Sequence, residues 1–155
     1  MISNAVAIIC LSKIKKLDLL KKVFGRVIIP NSVKEEVLVV GKGGYGAIKD
    51  ALSEGWIIAI EPKEKTDYNL GYGENDAINL AVEKKVSIIL DDAYAIKVAK
   101  ALNINILRTT TIAFMAVKKK IISKNEAINI LNGLVQIGYF ISPKEYTVLL
   151  DKLKR

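Results

Sequence analysis

The 155-residue chain carries 24 Lys and Arg against 16 Asp and Glu, a net charge of +8, with one cysteine and no histidine. That inventory excludes a disulfide framework and a cysteine zinc site, and it removes the usual partner of serine or cysteine triads, histidine-based zinc hydrolases and imidazole acid–base chemistry. Hydrophobic residues make up 51% of the chain, ample for the core of one domain, so any catalysis must rest on carboxylates, amides, hydroxyls or lysines.

The opening, MISNAVAIICLSKIKK, has an apolar run of about eight residues with its lysines after it, the wrong order for a signal peptide. No stretch approaches the roughly 20 apolar residues of a membrane span. The expectation is a cytoplasmic protein with no membrane association, and Cys10 in its apolar stretch suits a reducing compartment. Val6 to Leu11 reads as a buried strand or its exit, and Ser12 as a cap for a helix with Ile14, Leu17, Leu20, Val23 and Phe24 on its inner stripe, stopped by Gly25. Arg26 to Ile29 is a short β-branched strand ending at Pro30. Asn31 or Ser32 then caps a helix carrying Val33, Glu35, Glu36 and Val37.

A glycine-rich loop, Gly41 to Gly46, leads to a helix through Ile48 and Leu52 that ends near Gly55, and Trp56 to Ile60 is the next strand. Lys63 to Tyr72 is polar and reads as a loop. The stretch GENDAINLAVEKKVSIILDDAYAIKVAKA, from Gly73 to Ala101, is a helix–strand–helix unit with carboxylates at both turning points: Glu74 and Asp76 open the first helix, and Asp91-Asp92 stop the strand. Paired acids at a strand end stand where ligands bind in open α/β sheets, although either one can simply cap the following helix. Ile104 to Leu107 is a fifth strand, followed by Thr109-Thr110-Thr111 and a helix to Lys118-Lys119-Lys120. Two amphipathic helices between 123 and 153 complete one domain over 1–155, the second opened by Ser142-Pro143. Five strands alternating with helices argue for a parallel sheet covered on both faces.

Two chemistries compete for this frame. Gly41, Gly43 and Gly46 match GxGxxG, with Val37 to Val40 as a possible preceding strand and Glu61 about 20 residues on, as dinucleotide binding requires. Against it, the helix start at Pro30-Asn31-Ser32 makes Val37 to Val40 a helix end with glycines after it. The other chemistry uses dispersed acids. With the first strand central and the second and fourth beside it, Asn4, Glu36, Glu74 and Asp92 can meet at one end of the sheet. Clustered carboxylates repel unless a divalent cation sits among them, and oxygen-only donors select Mg²⁺ or Mn²⁺. Such a site hydrolyses phosphodiesters. The net positive charge suits a polyanionic partner, with Lys97 and Lys118 to Lys120 as candidate phosphate contacts. The aromatic residues are few and scattered and give no RNA-stacking signature.

The segments ISNAVAIICLSKIKKLDLL, RVIIPNSVKEEV, GENDAINLA, IILDDAYAIKVAKALNI and ILRTTTIAFMAVKKKII together resemble the PIN domain, and within it the prokaryotic proteins related to VapC-type toxins. The resemblance implies a three-layer α/β/α fold with a five-stranded parallel sheet of order 3-2-1-4-5, a metal-dependent endoribonuclease site acting on RNA, a homodimer, and a small antitoxin partner. Residue by residue, it implies that Asn4 stands where the family's first aspartate is expected, that Glu36, Glu74 and Asp92 are the remaining acids, that Asp91 and Asp76 can assist or substitute, and that Thr109 is a hydroxyl positioning the substrate. Two departures thin the cluster. Asn4-Ala5-Val6 replaces aspartate, threonine, serine, and Tyr94 stands where a further acid is usual. The expectation is weakened metal binding with slowed cleavage, or a catalytically degenerate module that binds RNA or a partner.

Overall fold

Short β-branched runs form the sheet. A computed structural model describes residues 1–155 and places β1 at Ile2–Ser3, β2 at Val27–Ile29, β3 at Ile57–Ala59, β4 at Ile88–Ile89 and β5 at Ile106–Leu107. All neighbours pair in parallel, in the order β3-β2-β1-β4-β5. The chain builds from β1 outward through β2 to β3, then returns to the other side of β1 with β4. That reversal leaves a crevice between β1 and β4 beyond the carboxyl ends of the strands.

Nine helices cover the sheet: α1 (Ala5–Lys13), α2 (Asp18–Phe24), α3 (Asn31–Val37), α4 (Tyr45–Glu54), α5 (Tyr72–Lys84), α6 (Ala93–Ala101), α7 (Thr109–Lys118), α8 (Lys124–Gln136) and α9 (Pro143–Lys154). One layer buries Ala77, Ile78, Leu80, Ala95 and Ala99 of α5 and α6 against Ile2, Ile88 and Leu90. The larger layer packs Ile8 and Leu11 of α1, Leu20 of α2, Ile112 of α7 and Leu131 of α8 against Ile29, Ile57 and Ile89. β4 therefore sends Ile88 and Leu90 one way and Ile89 the other, the period of two that a strand imposes.

The first segment departs from its expected form. Only Ile2 and Ser3 pair in the sheet, and Val6 to Leu11 belong to α1, where Ala5, Ile8, Leu11 and Ser12 are buried at helical spacing. An unbroken apolar run carries no period, so pattern alone cannot separate strand from helix there. Ser12 consequently caps nothing. Its hydroxyl donates back to the Ile9 carbonyl at 2.8 Å inside α1, and the next helix begins at Asp18. Gly25 ends α2 with φ of 75°, as its position suggested.

The glycine loop is no dinucleotide turn. Val37 closes α3, and Val40 is 80% exposed rather than part of a strand. Without a strand feeding the loop, Gly41, Gly43 and Gly46 cannot present their amides to a pyrophosphate at a sheet edge. Gly44 has a packing role instead: it takes φ of 87°, and a β-carbon there would collide with the Ser12 side chain.

Candidate metal centre

Strand register fixes where the acids begin. Ile2 pairs with Ile28 and Ile88, and Ser3 with Ile89, so one step further Asn4 lies level with Pro30 and Leu90 at the carboxyl edge. Its backbone N–H donates to the Ile89 carbonyl at 3.2 Å. Asn4 is 5% exposed and starts α1, but its side chain caps nothing. The β1–β4 crevice thus opens on an amide where a carboxylate was expected.

Glu36 comes from the last turn of α3 and Glu74 from the first turn of α5. The two helix ends meet across Gly73, where a β-carbon would collide with Glu36 Oε1. Glycine at that position allows the close approach and has no part in turn geometry, and the atom it makes room for is the end of a flexible, exposed side chain. Asp92 is the N-cap of α6, its Oδ2 accepting from the Ala95 N–H at 2.9 Å, which leaves Oδ1 open. Capping and ligation are therefore compatible in this residue.

Electrostatics tie the three acids together. Burial pushes the Glu74 carboxyl above the usual range, and the charges of Asp92 and then Glu36 push it further. Burial alone does the same to Glu36. Neither glutamate takes part in an ion pair. Uncompensated negative charge, presented only by oxygen donors, suits a hard divalent cation in kind. In spacing the site is open: no three acidic side chains stand close enough together to hold an ion. Glu36 and Glu74 have long side chains that can swing inward, and Asn4 can offer one carbonyl oxygen.

The neighbouring acids do other work. The alternation of β4 continues past its end, so Asp91 turns toward the layer opposite Asp92. Asp91 Oδ1 accepts from the Thr109 N–H at 3.0 Å and the Tyr139 hydroxyl at 2.5 Å, while Oδ2 accepts from the Thr109 hydroxyl at 2.5 Å. Arg108 Nε lies 3.8 Å away. Burial, the Asp91 charge and this hydrogen bond keep the Tyr139 phenol protonated far above its ordinary range. Asp91 is thereby a structural hub with no oxygen free for an ion, and Thr109, 1% exposed, holds that hub rather than a substrate. Asp76 is likewise engaged, accepting from the Ser32 hydroxyl at 2.7 Å, with Lys65 Nζ at 3.6 Å.

The anticipated lysine rim also lies elsewhere. α7 starts at the sheet's carboxyl edge and runs about 15 Å away from it, so Lys118 to Lys120 lie at the far end; Lys119 Nζ donates to the Val23 carbonyl at 2.9 Å. Lys97 sits exposed midway along α6. The cation beside the acids is Lys65, part of a cleft of about 560 Å³ that Asn31, Ser32, Glu35, Glu36, Glu61, Tyr72 and Asp76 also line. Tyr139 and Ser32 carried no sequence signal for these roles, because their partners are 48 and 44 positions away.

A family model, DUF3368, described as a PIN domain, matches residues 1–155. Among solved structures, a PilT N-terminus domain protein from the hyperthermophilic archaeon Sulfolobus solfataricus superposes with a TM-score of 0.54 at 23% identity, over 72% of this chain and 90% of the other. That likeness is one of fold. No curated protein sequence matches the chain. No helix is long and apolar enough to cross a membrane.

Proposed function

Because this chain belongs to the PIN domain family, in general a nuclease fold that uses divalent metal ions, we propose that it is a divalent-metal-dependent endoribonuclease of the toxin-like kind. The single observation that carries this reading is the approach of Glu36, at the end of α3, to the start of α5 that carries Glu74, with Asp92 opening α6 near enough for its charge to act on Glu74. Glu36, Glu74 and the free Oδ1 of Asp92 would hold Mg²⁺ or Mn²⁺, with the Asn4 carbonyl oxygen as a neutral fourth donor. Such an ion activates water and neutralises charge on the leaving oxygen of a phosphodiester. The chain's own residues orient and exclude. Asp92 is fixed by its cap bond to Ala95, and the Glu36 carboxylate lies close to the bare Gly73 backbone.

The test is cleavage of RNA by the full chain with Mn²⁺, expected to stop with EDTA and with Asp92→Asn. Cleavage that persists under both conditions would rule out this centre. One observation favours a second reading: Asn4 gives the crevice an amide in place of an anion, and three donors are not preassembled. On that reading the fold binds RNA or a small antitoxin-like partner without cutting. Mn²⁺-independent RNA binding with no cleavage, in both the natural chain and Asn4→Asp, would select it.

A further inference from the structure

The cleft beside the acids has features that ion binding does not need. Tyr72, the first residue of α5, stands at its wall 88% exposed, two positions before Glu74. Its backbone is anchored. Ser32 Oγ lies 3.4 Å from the Tyr72 carbonyl oxygen and donates to Asp76 one turn on, tying the start of α5 to α3. Lys65, which also lines the cleft, sits on a loop that α5 itself clamps: Asn75 Oδ1 accepts from the Tyr68 N–H at 2.8 Å, and Asn79 Oδ1 from the Thr66 N–H at 3.1 Å. An exposed aromatic ring on a fixed backbone is a stacking platform for an unpaired base.

The charge of the lining says which part of a nucleotide enters. Four carboxylates, Glu35, Glu36, Glu61 and Asp76, face one ammonium, Lys65. Lys65 is already paired with Glu61 at 2.8 Å and Asp76 at 3.6 Å. A phosphate is repelled from such a cleft, whereas a base edge rich in N–H groups is welcome, since carboxylates only accept. Glu35 makes no ion pair and belongs to neither the Lys65 pairs nor the proposed ion cluster. Guanine, with adjacent N1–H and N2–H₂ donors, matches the two oxygens of one carboxylate. The volume, about 560 Å³, lies within the range of small-molecule sites.

From this we infer that the α3–α5 cleft is a base-recognition subsite for an unpaired guanine, stacked on Tyr72 and read at its Watson–Crick edge by Glu35. The inference rests on the nuclease reading for its place beside the scissile bond. A phosphodiester over Glu36 and Glu74 would have its neighbouring base in this cleft, giving the chain a preference for single-stranded, guanosine-containing RNA.

The decisive experiment uses neither phosphate nor metal. The full chain is titrated with guanosine and with uridine in EDTA and followed by NMR shifts. Guanosine is expected to bind more tightly, Tyr72→Ala to weaken it about tenfold and Tyr72→Phe to preserve it, while Glu35→Gln brings guanosine down to the uridine level. Tyr72 is exposed, so Tyr72→Ala should keep the thermal midpoint and isolate the stacking loss. Equal binding of the two nucleosides, no binding of either, or guanosine affinity unchanged in Tyr72→Ala overturns the subsite. A chain that cuts RNA yet shows any of those results keeps its nuclease function and loses only the subsite. A chain that binds guanosine through Tyr72 but never cuts keeps the base site and loses the nuclease.

Discussion

Asp91 and Asp92 are adjacent and chemically identical, yet they serve two regions built on opposite principles. Asp91 closes a polar network in which Thr109 and Tyr139 supply its carboxylate with three hydrogen bonds. Asp92 opens α6 near the α3–α5 rim, where its charge and that of Glu36 act on Glu74. The first region stabilises a buried anion with donors. The second gathers like charges at a partly exposed rim, which makes Glu74 harder to ionise. A carboxylate supplied with donors serves the fold, whereas acids that raise one another's proton affinity at a strand edge are candidates for function.

The same substitution at the two positions should break the comparison apart. Asp91→Asn cannot accept on both sides of its hub and leaves buried donors unpaired, so it is expected to cost about 3 kcal/mol of folding stability, read as a large fall in urea midpoint. Should Asp91→Asn instead unfold like the natural chain, the hub is not structural. Asp92→Asn should do the reverse. Asparagine caps a helix about as well as aspartate, so the thermal midpoint should hold while Mn²⁺-dependent cleavage falls by about 100-fold or more, the scale on which metal-site changes act.

A smaller effect sharpens the electrostatic half of the contrast. Asn4→Asp adds an anion to the β1–β4 crevice and should raise Mn²⁺ affinity by about tenfold, measured calorimetrically. Unchanged affinity would remove Asn4 from the donor set.

The smallest effect is the pH dependence of Glu74. Its folded-state proton affinity is raised by burial, Asp92 and Glu36, so the unfolded chain loses its proton first. The stabilisation this confers is complete below the ordinary carboxylate range and is lost as pH rises through the raised folded value. Glu74→Gln should therefore raise the ion-free thermal midpoint by about 2 °C at neutral pH, little because the group is part-exposed, and leave it unchanged in acid. With saturating Mn²⁺ the sign should invert, since the natural chain then gains binding energy that the variant lacks. An ion-free midpoint that falls in Glu74→Gln at neutral pH would show the acids are already compensated.

Much of the frame was legible before any coordinates. Gly25, Ser123 and Ser142 mark helix ends by local chemistry: Gly25 has no β-carbon to oppose its positive φ, and the two serine hydroxyls accept from Glu126 and Glu145 N–H. β-Branched runs bounded by such signals give the remaining strands to within a residue or two. The opening segment failed because its continuous apolar run satisfies strand and helix alike. At the site, the convergence of chain segments follows from strand order, but the partners of Thr109 and Asp76 and the direction of Lys118 to Lys120 do not. Their roles depend on which way a side chain points once packed, and residue type does not encode direction.

Sequence alone determined the alternation of elements, the absence of imidazole chemistry, of disulfides and of a cysteine zinc site, and a set of acids at strand and helix ends, because each follows from local propensity or from composition. Tertiary structure alone decided that Asp91 turns inward to Tyr139 while Asp92 turns to Glu74, and that Tyr72 stands open over a cleft. The physical reason is that a strand's two faces are equivalent until the layers packed on them differ, and here one layer brings hydroxyl donors to β4 and the other brings carboxylates.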